Sequence, residues 1–424
     1  MMRLGTVLRV QPAAWLALPL MLLSAMYAAS YQPATDDQYN VALAAAGTVT
    51  LGFVAPICAA MAAWEGGRLR RAEWWDLPSV RPVVAVTTWS LLPVALVGLI
   101  AVLIGVLVEF ARVGLLAIPD LRLVGLSLLV VSAHAVVGFA VGLRVPVVVA
   151  APGVLIASYL WMAFPRALEP LWLRHLNGSL SSCCMLPDEL APRAVAGAAI
   201  VAFGMVIGGG SLIAQPWRWR NLALALGSLL IAFGVAVPLV AGLGPDPAVA
   251  RSTDQLVCRE DSSVTVCVWP EHARRLDEVF EVATLAVDHW KGIGLVSTHF
   301  SEARADLHEV GWSSFGFSSQ SDRADILHSL AYGLLPPWPP CAEVGGYPGF
   351  DARAPVHAWY DAIAGMSKAD LAQRFPPSGG PGVPAPLKIV SALEAATPEA
   401  RATWLADNLA AMASCDRSPE FLPS

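Results

Sequence analysis

Residues 222–247 read LALALGSLLIAFGVAVPLVAGLGPDP, an uncharged apolar run closed by Gly244-Pro245-Asp246-Pro247. Hydrocarbon offers no water to backbone N–H and C=O groups, so such a run must be helical, and about 20 residues suffice to cross a bilayer. Six more runs of this kind precede it: Ala13 to Ala29, Val41 to Ala63, Val83 to Val108, Leu123 to Val141, Val145 to Phe164 and Ala194 to Ile213. After Pro247 the character changes, and charged residues become frequent. The reading is an all-α polytopic membrane bundle of about seven transmembrane helices over residues 1–244. A helix-rich α+β extracytoplasmic domain follows over residues 245–424.

Composition supports two solvents. The chain is 56% hydrophobic and only 14% charged, with a mean hydropathy of +0.58, whereas soluble domains carry roughly 25% charged residues. Residues 244–424 hold 13 basic and 23 acidic side chains, against 14 and 10 in the remainder. An acidic soluble half has no electrostatic footprint for phosphates, which excludes nucleic acid as a partner.

Arginines orient the bundle, because positive loops stay cytoplasmic. With the N-terminus inside, Arg3, Arg9, Arg68, Arg70, Arg71, Arg81, Arg144, Arg218 and Arg220 are cytoplasmic. Arg112, Arg122, Arg166, Arg174 and Arg193 fall opposite, in longer loops that also carry acids. Seven spans then place the C-terminal domain outside. The first span reads as an anchor, with a cleaved signal peptide as the alternative. Cysteines test this placement independently. Cys58 lies within a span, while Cys183, Cys184, Cys258, Cys267, Cys341 and Cys415 all fall on the outer side, as an oxidising compartment requires. Six cysteines allow 15 pairings. Cys258 with Cys267, across a hairpin-like stretch, and Cys341 with Cys415 are the expected pairs; Cys183 and Cys184 bond each other or tie the loop to the tail.

Between the second and third spans, residues 64–81 read WEGGRLRRAEWWDLPSVR. Tryptophans suit the headgroup level and arginines suit lipid phosphate, so this segment is expected to lie flat on the cytoplasmic face. Its Glu-x-x-Arg and Pro-x-x-Arg pattern, with the span count and loop order, resembles the permease subunits of type-2 ABC exporters. That resemblance implies a coupling helix formed by Glu65, Arg68, Arg70, Arg71, Trp74, Trp75 and Arg81. It also implies six permease spans, with the seventh an added anchor. The chain has no phosphate-binding Gly-x-x-x-x-Gly-Lys-Ser/Thr loop, so the ATPase would be a separate cytoplasmic subunit. The partners implied are therefore the bilayer, that ATPase and a second copy of the chain. A membrane-anchored binding or sensing protein without transport is the alternative.

Two ionisable residues stand inside or at the end of spans, Glu109 and His134, and such residues are functional candidates by default. A histidine hydrogen-bonded between helices is the plainer reading of His134, since no second buried carboxylate accompanies it.

In the C-terminal domain, Val264 to Trp269 alternates as a strand. Amphipathic helices are expected over Glu271 to Trp290, Asp322 to Leu335, Pro355 to Met366, Pro386 to Ala396 and Pro398 to Ser414, the last capped by Thr397. Asp325 to Gly333 has the apolar pattern of the zincin helix His-Glu-x-x-His, and the order of elements, including a later Trp359-Tyr360-Asp361, looks like gluzincin peptidases. Ser329 occupies the place of the glutamate and Tyr332 that of the second histidine. A degenerate, inactive peptidase-like domain is what this resemblance implies, without a metal, a cofactor or an enzymatic activity. His272, His289, His299, His308 and His357 are scattered, and no Gly-x-Ser-x-Gly elbow anchors a Ser/His/Asp site.

Overall fold

The computed structural model describes residues 11–30, 49–74, 82–113, 120–180, 184–214, 218–295, 297–307, 311–318, 320–343, 346–375, 377 and 384–421. The chain divides into two compact units, Met1–Ala250 and Arg251–Ser424.

The first unit is built from Pro12–Ser30 (α1), Leu51–Arg71 (α2), Val83–Val113 (α3), Leu121–Gly142 (α4), Val147–Ala163 (α5), Pro192–Ile213 (α6) and Trp219–Val240 (α7). All but α2 are long and apolar enough to cross a membrane. The exception differs from the expected span at its C-terminal end. Residues 41–48 lie outside the described residues, and α2 runs on past Ala63 to Arg71 rather than yielding to a flat segment at Trp64. Its last two turns therefore carry Glu65, Arg68, Arg70 and Arg71.

Packing explains the continuation. A Cβ on Gly66 would lie 2.4 Å from the Phe139 carbonyl oxygen, and one on Gly67 2.9 Å from Val147 Cβ. These glycines are weak helix formers, but only residues without a side chain allow α4 and α5 to approach so closely, and that contact holds the helix. Glu65 is buried and paired with Arg68 at 2.5 Å, so it belongs to the bundle interior rather than to an aqueous loop. Arg70 and Arg71 are exposed. The helix ends through Ala72 and Glu73, the latter at φ 46°, before Trp74. Trp75 and Arg81 lie outside the described residues.

The same logic sets the direction of α2 against α4. A Cβ on Gly138 would meet the Ala59 carbonyl at 2.1 Å, and one on Gly142 the Ala63 carbonyl at 2.1 Å. Both numbers rise together, so the helices run parallel and finish at one end. There Arg144 Nη2 donates to the Leu212 carbonyl at 2.9 Å, which brings in the end of α6. Arg68, Arg70, Arg71 and Arg144 are thus gathered at a single end of the bundle. At the opposite end Asp188–Leu190 (β1) pairs antiparallel with Ala248–Ala250 (β2), strapping the entry to α6 to the chain leaving α7. The intervening 3₁₀ segment Leu171–Leu176 buries His175 and Leu176.

His134 is buried in α4, its Nδ1 at 2.9 Å from the Val130 carbonyl one turn back; its Nε2 has no partner. Glu109 lies on α3, and its side chain falls outside the described residues.

In the second unit Val257–Glu260 (β3) and Thr265–Val268 (β4) form an antiparallel hairpin, with Cys258 directly opposite Cys267 and disulfide-bonded to it. Leu276–Lys291 (α8) crosses over to His299–Ser301 (β5), which pairs parallel with β4, and Trp312–Ser314 (β6) adds parallel to β5. Parallel neighbours need such a crossover. The core face of α8 carries Leu276, Val279, Phe280, Ala283, Val287 and Trp290, the expected helical stripe. Its start is later than expected because Pro270–Arg275 winds as a 3₁₀ turn. Then come Arg323–Gly333 (α9), Arg353–Ile363 (α10), Lys368–Arg374 (α11), Pro386–Ala395 (α12) and Pro398–Met412 (α13). Thr397 caps α13 by accepting from the Ala400 amide at 3.3 Å. Cys341 and Cys415 are bonded as expected. Cys184 is also disulfide-bonded; Cys183 lies outside the described residues.

Candidate functional site

The site is made by two helices that each present one stripe to the other. On α9, His328 and Tyr332 are four residues apart, and on α10, Arg353, His357 and Asp361 follow at the same interval, so each set lies on one helical face. Asp322 starts α9 through a capping box with Asp325, whose carboxylate also receives Arg374 at 2.6 Å. Burial alone would raise the Asp325 carboxyl, but the Asp322 amide and Arg374 together hold it below the usual range. Gly333 lets the end of β6 press against α9: a Cβ there would sit 2.2 Å from the Ser314 carbonyl.

Where the faces meet, His328 Nδ1 lies 2.6 Å from Asp361 Oδ2, and His357 Nε2 lies 2.7 Å from the His328 carbonyl oxygen. The two imidazoles stack with centroids 4.0 Å apart, and Phe375 meets both edge-on. Tyr332 stands against His357 at 5.4 Å, and Arg353 lies over Tyr332 and over Trp338. Asp361 is fully buried, and its Oδ1 has no hydrogen-bond partner. His328, Tyr332 and His357 line a cavity of about 500 Å³ with Gly316, Ser321, Asp325 and Ser329.

The hydrogen bonds assign the tautomers. A carbonyl only accepts, so His357 Nε2 carries the proton and donates, leaving Nδ1 as a lone pair. A carboxylate likewise accepts from His328 Nδ1, which turns His328 Nε2 away from Asp361. Ser329, in the place of the zincin glutamate, accepts from the Gly316 amide at 2.9 Å and serves as a structural hydroxyl. It has no basicity with which to activate water.

Burial pushes His357 down to about 4; Asp361 opposes this shift, whereas His328 and Arg353 add to it. The unfolded chain therefore binds a proton between about pH 6.5 and pH 4 that the folded domain rejects, and stability falls as pH drops through that window. Acidification from pH 7 to pH 4 should cost about 3 kcal/mol from this group. His357→Gln should flatten the denaturation midpoint across that range, and an unchanged pH slope would refute the assignment.

Of the expected positions, His328 and Tyr332 come together in the site, while His272, His289 and His299 stay outside it. The sequence alone does not pair His357 and Asp361 with His328. Their four-residue spacing was visible, but nothing in the sequence set α10 against α9. The coupling candidates Glu65, Arg68, Arg70, Arg71 and Trp74 belong to the end of α2 and the turn after it. No curated protein and no solved structure matches the chain. Residues 266–415 match the model of a domain of unknown function (DUF7224), a stretch that runs from β4 to Cys415 and holds every residue of the histidine site.

Proposed function

We propose that the chain is a membrane-anchored binding or sensing protein, whose helix-rich domain presents the His328/His357 cavity outside the cytoplasm. The observation that carries this reading is the site itself: two histidines held in fixed orientations by hydrogen bonds on a cavity, beside a serine that cannot act as a base. Such an arrangement recognises a ligand without turning it over. The gathering of Arg68, Arg70, Arg71 and Arg144 at one bundle end favours that end as cytoplasmic, and β1–β2 then belongs to the outer side.

A permease-like subunit of an ABC export system is the second reading, favoured by the exposed Arg70 and Arg71 at that same end. An ATPase would dock there, because Glu65 and the glycines beside it are sealed inside the bundle. One experiment separates the two. Affinity purification of the full chain from cells grown under native expression should recover no ATPase, and an impermeant label should reach a cysteine placed at exposed Lys368. A bound ATPase lost on Arg70→Ala/Arg71→Ala would establish the permease reading. Labelling only after lysis would overturn the outer placement.

A further inference from the structure

We propose that the pocket between α9 and α10 takes a divalent transition-metal ion of the zinc, nickel or copper class, bound by His328 Nε2 and His357 Nδ1 in the cavity that Tyr332 also lines. This deepens the binding reading above and rests on it. One ligand-capable atom from each of His328, His357 and Asp361 lies within 4.8 Å of the other two. Asp361 Oδ2, however, is engaged by His328 Nδ1 at 2.6 Å, so its part is to stand behind the histidine. A carboxylate there orients the ring and makes Nε2 a better donor, as metal-bound histidines generally require. The His328 backbone carbonyl does the same for His357 through Nε2.

The site thus has its outer shell already built. Each imidazole has one nitrogen engaged by its protein partner and the other left for a cation. Imidazole donors select borderline ions rather than calcium or magnesium, which prefer all-oxygen cages. Two nitrogens leave further positions open towards the cavity, which Tyr332, Asp325 and Ser321 also line. The expectation of a metal-free domain depended on the missing second histidine of the zincin pattern at position 332. His357, on the neighbouring helix, supplies the second nitrogen instead. Ser329 supplies no base, so the ion would serve recognition or structure, not peptide hydrolysis.

The test is titration of the full chain, in detergent and free of any polyhistidine tag, with cobalt(II) as spectroscopic probe and zinc(II) as competitor. One equivalent of cobalt should bind with visible ligand-field bands that zinc abolishes. His328→Ala and His357→Ala should each weaken binding at least tenfold, and Asp361→Asn by roughly tenfold to a hundredfold. Should these variants misfold, zinc must still protect His328 and His357 of the unsubstituted protein from diethylpyrocarbonate. No saturable binding at millimolar metal, binding unchanged by the double histidine substitution, or failure of protection would each overturn the proposal. If metal fails to bind but Lys368 is labelled from outside, the metal proposal alone falls. If metal binds and Lys368 is labelled only after lysis, the outer placement falls alone.

Discussion

Cys341→Ala with Cys415→Ala should lower the stability of the C-terminal domain by about 4 kcal/mol, against about 2.5 kcal/mol for removing both Cys258 and Cys267. The difference follows from chain entropy. Cys341–Cys415 closes a loop with a sequence separation of 74, and Cys258–Cys267 one of 9. A longer closed loop removes more freedom from the unfolded state. The larger loop also contains all of α10 to α13, hence His357 and Asp361 but not His328. Denaturant midpoints of the full chain, read by limited proteolysis of the domain, should fall in that order. Equal midpoints for both variants and the unsubstituted protein would show that the bridges do not constrain the unfolded chain as the loop lengths require.

Gly138→Val and Gly142→Val should prevent α2 and α4 from packing. The built Cβ positions lie 2.1 Å from the carbonyl oxygens of Ala59 and Ala63, and these are backbone atoms that no rotamer change can move. Ordinary overpacking costs about 1–3 kcal/mol. Here relief requires the helices to separate along their shared seam, so the loss should exceed that range for each substitution. Small residues at such seams provide the close dispersion contact that replaces the hydrophobic effect within a bilayer. Gly125→Val is the control: it lies on the same helix with nothing within 4 Å of its built Cβ. Thermal aggregation of the purified protein should shift strongly for the first two variants and hardly at all for the third. A normal profile for Gly142→Val would contradict the seam.

Reading from composition succeeded wherever one element decides its own state. Uncharged runs around Leu222–Leu243 or Val83–Val108 must be helical in hydrocarbon whatever surrounds them, and the stripe Leu276, Val279, Phe280, Ala283, Val287 and Trp290 specifies α8 by its period alone. Thr397 before Pro398 marks a helix start locally. The pairs Cys258–Cys267 and Cys341–Cys415 form as expected, although six cysteines allow 15 pairings and only the fold selects among them.

Tertiary structure decided what depends on two elements at once. Gly66 and Gly67 disfavour helix in isolation; only the approach of Phe139 and Val147 makes them the condition for its continuing. β5 and β6 are three residues each, too short for a periodic signal; β5 exists because β4 offers it a parallel edge, and β6 because β5 does. The site follows the same rule. His328 and Tyr332 are one stripe and His357 and Asp361 another, each legible by its spacing of four. Their meaning as donors comes from the contact between α9 and α10, which turns one histidine to Asp361 and the other to a backbone carbonyl. A sequence determines which faces exist, and packing determines which face each one meets.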